Sequence, residues 1–210
     1  MDIATAALPK PRERILATAR ELFRKHGIRG IGVDAIAEAA GTNKMTLYRH
    51  FGSKDELVVA CLRAVAMEAD RMWDRLEASH PEDPIAQLHA WLAYGGGCGG
   101  PDGRGCSMAN AAVELTEGDH PAREVIAAFK RSQRDRLADI CRRAGIAAAE
   151  TLADTLSLLL EGARVSRQSM GAAGPSANFV AVGTAVIASF AGAAPATSSV
   201  RPGARKAERA

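Results

Sequence analysis

Cysteine is scarce in this 210-residue chain, and the four that occur are poorly placed for the structural roles that cysteine has in small proteins. They lie at positions 61, 98, 106 and 141, so no two of them form a Cys-x-x-Cys pair. Disulfide-stapled folds and structural zinc sites rely on closely paired cysteines. We therefore expect neither a disulfide framework nor a metal site.

The chain also lacks the features of a secreted or membrane-bound protein. Its first residues offer no positive start followed by an apolar run, which a signal peptide requires. The apolar segment 174–192 is interrupted by Asn178, Thr184 and Ser189 and barely reaches the ~20 residues needed to span a bilayer. We expect a cytoplasmic protein without a membrane partner.

A phosphate-binding loop is missing as well. Seven of the eleven residues from Gly95 to Gly105 are glycine, but neither a preceding strand nor the lysine of a P-loop accompanies them. Because glycine loses much backbone entropy when it is ordered, this composition predicts a mobile loop over residues 95–105. We expect no cofactor.

Positive charge is concentrated at the two ends of the chain. Residues 1–63 hold 11 Lys and Arg against 7 Asp and Glu, residues 64–199 hold 12 against 16, and residues 200–210 hold 4 against 1. A basic N-terminal segment on an acidic body suits attraction to nucleic-acid phosphates, although ordinary solvated helix faces would give the same pattern.

Residues 41–54 have the pattern of a short basic helix between two helix boundaries. Gly41 can end a preceding helix in the left-handed conformation, and Asn43 can cap the next one. Leu47 and Phe51, four residues apart, would anchor one face of that helix in a core. Helix, glycine turn and helix make the DNA-binding helix-turn-helix motif, whose second helix enters the major groove.

Flanking signals complete a small domain. Apolar residues at helical spacing from Ile15 predict a first helix that ends at His26. Ser53 and Glu56 have the spacing of a capping box, which predicts reciprocal hydrogen bonds and a fourth helix from Lys54 to about Ser79.

Segments 14–23, 33–41 and 46–57 resemble the TetR-family repressors, and the resemblance covers about a quarter of the chain. It implies an all-helical homodimer whose C-terminal domain binds a small-molecule effector and then releases an operator. Gly32 stands where that family usually has a threonine or serine cap. Glycine is only slightly weaker at this position, so the assignment stands.

The fold class expected is therefore all-α, with two folded parts. A disordered N-terminus over residues 1–10 precedes a helix-turn-helix DNA-binding domain over 11–56. A larger helical domain for ligand binding and dimerisation follows over 57–194, and a disordered basic tail over 195–210. Helical spacing within the larger domain predicts helices around 85–92, from 106 to 118, and over 122–143, 148–170 and 174–192.

The expected partner is double-stranded operator DNA, with the protein nucleoid-associated when it is bound. Lys44 can donate to guanine, and Met45 and Thr46 can contact a thymine methyl. Tyr48 and Lys54 match the family's phosphate contacts, with further backbone contacts from Thr42, Asn43, Arg49 and His50; for His50, packing is the favoured role. A two-fold dimer predicts a pseudo-palindrome with half-sites about one helical turn apart.

The last two helices are the expected dimer interface, because apolar residues cover most of the final helix and small ones allow close approach. The candidate residues are Leu152, Leu156, Leu159, Phe179, Gly183, Val186, Ile187 and Phe190.

Candidate effector-binding residues are apolar or acidic side chains of the C-terminal helices. They are Trp91, Tyr94, Met108, Glu114, Leu115, Phe129, Leu160 and Glu161. They suit an apolar or aromatic effector, with core packing equally available to each apolar one. If Glu114 or Glu161 faced a cavity without an arginine partner, a cationic ligand would be favoured, but Arg164 is placed to pair with Glu161.

Three alternatives remain open. Cys106, at a helix start near Arg104, is in a position that favours the thiolate, and Cys98 could reach it from the glycine-rich loop, so an electrophile or oxidant sensor is conceivable. An activator or a nucleoid-associated protein could use the same DNA-binding domain. An enzyme using Cys106, Asp119 and His120 is disfavoured, because no acyl-transfer signature surrounds these residues.

Overall fold

The computed structural model describes residues 9–97 and 104–192, and within them it is all-helical. The helices are α1 (Pro11–His26), α2 (Val33–Ala39), α3 (Lys44–Phe51), α4 (Lys54–Ser79), α5 (Pro84–Gly97), α6 (Ser107–Glu114), α7 (Ala122–Arg143), α8 (Ala149–Met170) and α9 (Phe179–Ala191), with a 3-10 helix at Pro175–Asn178 before α9. The far N-terminus and the basic tail fall largely outside the described residues. In the described part, no helix has both the length and the apolar character needed to cross a membrane.

The first three helices share a core with the start of α4. Ile15, Ile36, Leu47 and Leu57 contribute one buried side chain from each of these helices, and all four are fully buried. The expected start of α4 at Lys54 and its end at Ser79 are confirmed. This core fixes the orientation of α3, which is the helix predicted to read DNA.

The capping box predicted at α4 is only half formed. The Ser53 hydroxyl accepts a 3.0 Å hydrogen bond from the backbone N–H of Glu56, as expected. The N–H of Ser53, however, donates to the carbonyl of Phe51 at 2.7 Å. The Glu56 carboxylate instead lies beside Gly52, because the tight turn between α3 and α4 already satisfies the donor that it would have bonded.

The second half of α4 packs with α5, α7, α8 and α9 in a larger core. Trp73, Leu92, Leu137 and Leu156 are among the buried members, one from each of four helices. A third cluster joins the two cores: Val58 and Leu62 of α4 meet Met108 of α6 and Ile126 of α7. The DNA-binding part and the helical body are thus in direct apolar contact.

Two expectations for the C-terminal helices were wrong. Of the loop predicted over residues 95–105, Gly95, Gly96 and Gly97 belong to α5, while residues 98–103 lie outside the described residues. A β-carbon added at Gly95 would lie 2.9 Å from the ring of Phe179, and one at Gly96 would lie 2.9 Å from Val180. At Gly95 and Gly96 the lack of a side chain lets α9 approach α5 closely, and this packing offsets their entropy cost.

The other expectation was that α6 would run to Gly118. It ends at Glu114, and the side chain of Arg123 donates a 2.9 Å hydrogen bond to the carbonyl of Leu115 directly after the helix. An arginine from the next helix therefore satisfies a carbonyl that would otherwise need another helical turn.

Candidate DNA-reading surface and effector cavity

Helix α3 is held by local signals at both ends and by two buried anchors. The side-chain oxygen of Asn43 accepts a 2.9 Å hydrogen bond from the N–H of Thr46, so the predicted cap is present. Gly52, with φ of +69°, ends the helix. Leu47 and Phe51 are buried against the N-terminal core. The opposite face of α3 therefore points away from the protein.

That outward face carries the residues predicted to contact DNA. Met45 is 84% exposed, and Lys44, Tyr48 and Arg49 are also exposed. The remaining predicted contacts are Thr42, Thr46, His50 and Lys54, which are half-buried, and Asn43, which is exposed. All nine lie on α3, at the turn before it or at the first residue of α4, so the structure brings them together.

Two arginines of α1 brace the helix-turn-helix from behind. Arg14 donates to the carbonyls of Ala40 and Gly41, at 3.2 and 3.4 Å, where α2 ends and the turn begins. The guanidinium of Arg12 lies 5.0 Å from the centre of the Phe51 ring. Carbonyls at a helix end carry partial negative charge, so a guanidinium there stabilises the turn.

Sequence reasoning missed a contact on the same surface. Lys44 Nζ lies 3.1 Å from Asp34 Oδ2, which joins the recognition helix to the first turn of α2. Both side chains are exposed. The sequence does place opposite charges at these two positions, ten residues apart. Whether they pair depends on the angle between α2 and α3, which the sequence does not give.

A cavity of about 420 Å³ lies in the helical body, between α4, α5, α7 and α8 and beside the start of α6. Five of the predicted effector-binding residues line it: Trp91, Tyr94, Phe129, Leu160 and Glu161. Cys106 lines it as well. Its size falls within the range of small-molecule sites.

The other three candidates, Met108, Leu115 and Glu114, do not line this cavity. Met108 and Leu115 are buried in the cluster that joins the two cores. Glu114 faces the DNA-binding part, where its carboxylate accepts a 3.0 Å hydrogen bond from the backbone N–H of Arg29. Both apolar side chains are used in packing, which the sequence pattern could not distinguish from cavity lining.

Glu161 does not meet the condition for a cationic ligand, because it has an arginine partner. Glu161 Oε1 lies 2.6 Å from Lys130 Nζ and 3.2 Å from a guanidinium nitrogen of Arg164. Glu114 has the backbone partner already described and lines a separate cavity of about 330 Å³ between α1, α4 and α6. Lys130, which sequence reasoning did not single out, is therefore a central charged residue of the cavity.

The described cysteines differ in their surroundings. Burial raises the pKa of the Cys61 thiol to about 12 and that of Cys141 to about 11. Cys106 is half-buried at the cavity wall, and Lys130 Nζ lies 3.7 Å from its sulfur. Its predicted partner, Cys98, lies outside the described residues.

Most of the predicted dimer residues are used inside the protomer. Leu152, Leu156, Phe179, Gly183 and Ile187 are buried in the chain's own core, and a β-carbon on Gly183 would overlap Leu92. Leu159, Val186 and Phe190 pack at its edge. Within the protomer, the last helix is thus buried on one side, and the large apolar side chains that α8 and α9 leave exposed include Leu158, Val165, Val180 and Val182.

His120 has a structural environment and not a catalytic one. Its Nδ1 accepts a 3.1 Å hydrogen bond from the N–H of Ala122, and its Nε2 lies 3.4 Å from Asp55 in the first turn of α4. Cys106 instead contacts Lys130. Across the described ranges, no group of three or more His, Cys, Asp or Glu side chains is arranged to hold a metal ion.

A recognition helix anchored on one face and bare on the other, above a helical body that encloses a cavity, defines a helix-turn-helix DNA-binding regulator. Residues 15–61 match the family model described as bacterial regulatory proteins, tetR family. The transcriptional repressor SCO4008 of Streptomyces coelicolor is 30% identical over 140 residues, which span 60% of this chain and 67% of that protein. The chain belongs to the TetR family of transcriptional regulators.

Other relatives match mainly through the N-terminal part. The regulatory protein RaaS of Mycobacterium tuberculosis is 49% identical over 82 residues, 39% of this chain and 38% of that protein. The repressor AcnR of Corynebacterium efficiens is 38% identical over 64 residues, 30% of this chain and 34% of that protein. The chain thus spans only about a third of the length of these curated relatives, all of which are named as regulators and not as enzymes.

Similarity to solved structures extends over the whole fold. The TetR-family regulator SCO4454 of Streptomyces coelicolor has a TM-score of 0.81 and 26% identity, over 86% of this chain and 96% of that one. A TetR-family regulator from Agrobacterium tumefaciens has a TM-score of 0.73 and 26% identity, over 86% and 97% of the two chains. The helical body is therefore of the family's type, although its sequence has diverged.

Proposed function

We propose that this regulator is a homodimeric repressor that binds a pseudo-palindromic operator and releases it when a small molecule occupies the cavity. Residues 11–56 form the DNA-binding domain and residues 57–194 the effector-binding and dimerisation domain. The protein acts in the cytoplasm on chromosomal DNA. The observation that carries this proposal is the position of α6, which touches both the cavity and the DNA-binding part.

Helix α6 begins at the cavity and ends at the helix-turn-helix. Cys106 and Ser107, at its start, line the cavity. Glu114, at its end, bonds to the N–H of Arg29 in the connection between α1 and α2. Arg29 in turn forms a 2.6 Å ion pair with Glu117. A molecule that shifts the start of α6 will therefore move the attachment of the DNA-binding domain and change the separation of the two recognition helices.

DNA reading is assigned to the exposed face of α3. Lys44 donates to guanine in the major groove, and Met45 and Thr46 contact a neighbouring base, since these side chains are at the N-terminal end of the recognition helix. Tyr48 and Lys54 bind phosphates on either side. Arg49, His50, Thr42 and Asn43 add contacts to the backbone.

The dimer is assigned to the outward side of α8 and α9. Leu158 is 74% exposed and Val165 is 62% exposed on α8, and Val180 and Val182 are exposed on α9. Large apolar side chains exposed on neighbouring helices are typical of an interaction site. A second copy of the chain buries them and brings two recognition helices to one side of the DNA.

Selection of bound fragments from the genomic DNA of the source organism, near physiological salt, tests the proposal. A matched selection uses Tyr48→Ala, which removes a phosphate contact and leaves the core untouched. Recovery of a palindrome by the unaltered protein and its loss with Tyr48→Ala are expected. Equal recovery without sequence preference by both proteins would refute the operator and favour a nucleoid-associated role.

A thiol-sensing regulator is the second candidate, and the contact between Cys106 and Lys130 favours it. The sulfur lies at the cavity wall, at the start of the helix that joins the cavity to the DNA-binding domain. An electrophile that adds to Cys106 would occupy the place of a reversible effector. Release of the selected operator by an electrophile, abolished in Cys106→Ser, distinguishes this candidate from the first.

A further inference from the structure

We infer that the effector is an organic anion, an apolar or aromatic molecule that carries one carboxylate or a similar acidic group. The inference rests on the proposed effector role of the cavity and specifies the chemistry that the cavity accepts. It follows from the division of the cavity wall into an apolar part and a cationic part.

The apolar part is formed by aromatic and aliphatic side chains from three helices. Trp91 of α5, Phe129 of α7 and Leu160 of α8 all line the cavity. Trp91 is itself fixed by an edge-to-face contact with Phe179, whose ring centre lies 6.2 Å away. A rigid apolar wall of this kind favours a hydrocarbon or aromatic body in the ligand.

The cationic part centres on one carboxylate shared by two cations. Glu161 accepts from both Lys130 and Arg164, at 2.6 and 3.2 Å through the same oxygen. The side chain of Lys130 is 33% exposed, that of Glu161 37% and that of Arg164 21%. Each therefore remains accessible to a ligand. Two positive charges against one negative charge leave this cluster with one uncompensated positive charge.

Other charged side chains line the same cavity among the described residues. Its other charged residues are Arg24, Arg104 and Glu68. Glu68 is engaged by both guanidinium nitrogens of Arg20, at 2.7 and 2.5 Å. The cluster of Lys130, Arg164 and Glu161 therefore sets the charge beside the apolar wall, where it attracts an anion and repels a cation.

A ligand carboxylate binds beside Glu161 and accepts hydrogen bonds from Lys130 and Arg164. Lys130 has three donors and Arg164 has five, and one glutamate oxygen cannot use them all. Hydrogen bonds from ionised donors to a carboxylate are stronger than neutral ones. The ligand thereby satisfies donors that Glu161 leaves unused, while its apolar body lies against Trp91 and Phe129. Glu161 competes with the ligand for the same two cations.

Calorimetry on the protein without DNA tests the inference with matched acid and amide probes. The pairs are 2-naphthoate with 2-naphthamide and decanoate with decanamide, which share a body and differ in charge. Arg164→Gln and Lys130→Gln remove one cation each, and Glu161→Gln removes the competing carboxylate. Arg167→Gln, one turn further along α8 and outside the cavity lining, is the control for the loss of an arginine.

We expect at least one acid to bind more tightly than its amide. Arg164→Gln and Lys130→Gln should weaken acid binding about tenfold, the worth of a charged hydrogen bond, and leave amide binding unchanged. Glu161→Gln should strengthen acid binding, and Arg167→Gln should change neither. Equal binding of acid and amide, equal weakening of both by Arg164→Gln, or no binding of any probe would overturn the inference. Because no DNA is present, the result is independent of whether the operator proposal holds.

Discussion

Lys44 of the recognition helix is paired with Asp34 of α2, with 3.1 Å between the ammonium nitrogen and a carboxylate oxygen. The residue proposed to read guanine is therefore held by an acid of the neighbouring helix in the protein without DNA. Major-groove binding requires Lys44 to leave this carboxylate or share it, so Asp34 opposes binding twice, by occupying Lys44 and by repelling phosphate.

Asp34→Asn should strengthen DNA binding. The gain should be up to about fivefold, equivalent to the ~1 kcal/mol upper value of an exposed ion pair, and the free energy of unfolding should hardly change. Fluorescence anisotropy with the selected operator and with single-base variants measures both affinity and preference. Lys44→Ala should relax the preference at one position of each half-site.

Glu38→Gln is the control for Asp34→Asn, since it removes an equal charge from the exposed side of the same helix. It should raise affinity for all sequences alike, whereas Asp34→Asn should also change the preference at the position that Lys44 contacts. Weaker operator binding by Asp34→Asn would show that Asp34 positions Lys44 for reading and does not compete for it.

Two glycines near α2 should respond oppositely to the same substitution. Gly32 caps α2 with φ of −87° and ψ of 159°, and nothing lies within 4 Å of an added β-carbon. Gly32→Ser should therefore stabilise the fold by a few tenths of a kcal/mol, through a side-chain cap. Gly27 has φ of +78° and ψ of 163°, which is a region essentially restricted to glycine.

Gly27→Ser should destabilise by about 1–3 kcal/mol, because the backbone is strained and the new side chain meets the Glu114 carboxylate, 2.9 Å from the β-carbon position. Urea unfolding of both variants measures the two effects under one set of conditions. A loss of stability in Gly32→Ser would contradict the open space around that cap.

Among the described cysteines, Cys106 should react with thiol reagents in the folded protein while Cys61 and Cys141 stay unmodified. Burial raises the pKa of the latter two to about 12 and about 11, so at pH 8 they are almost entirely protonated as well as inaccessible. In a Cys98→Ser background, a chromogenic disulfide should modify one thiol per chain rapidly. Adding Cys106→Ser should abolish this rapid reaction. Rapid modification of two thiols in Cys98→Ser would contradict the assignment of Cys106 as the one reactive thiol among the described cysteines.

The contact between α7 and α8 should lose stability in acid. Arg134 donates to Asp154 at 2.7 Å and also pairs with Glu150. These hydrogen bonds lower the pKa of both carboxyl groups. A lowered pKa in the folded state gives stability that is fully present above the unfolded value, about 4, and is lost as the pH falls through the folded value.

Arg134→Gln should therefore be less stable than the unaltered protein at pH 6, and the difference should shrink below about pH 4. Urea unfolding at several pH values measures it. Arg131→Gln, exposed on the same helix, is the control and should show no such trend. A difference that stayed constant from pH 6 to pH 3 would show that Arg134 acts through packing and not through charge.

The parts of the fold that depend on neighbouring residues were predictable from the sequence. Asn43 capping α3, the end of α1 at His26 and the start of α4 at Lys54 are set by signals within a few residues, and all three were confirmed. The outward and inward faces of α3 follow from the spacing of Leu47 and Phe51 in the same way.

The remaining features depend on partners that are distant in the sequence. Gly95 and Gly96 are helical where α9 packs closely on them, a contact with residues more than 80 positions away. Lys130 meets Glu161 and Cys106, which are 31 and 24 residues away, and such pairs carry no local pattern. The single-sided burial of α9 and the attachment of Glu114 to Arg29 likewise arise from the angle at which helices meet.

The exposure of Met45 bears on how such regulators diverge. Its side chain is 84% exposed, whereas Leu47 two positions later is fully buried. Substitutions at Met45 should thus hardly change the free energy of unfolding. The orientation of α3 is fixed separately, by the buried side chains of Leu47 and Phe51 and by the hydrogen bonds of Arg14. If Met45 contacts a base as proposed, single substitutions there should change the preferred operator without destabilising the fold, and duplicated copies could acquire separate targets while they keep the proposed effector site.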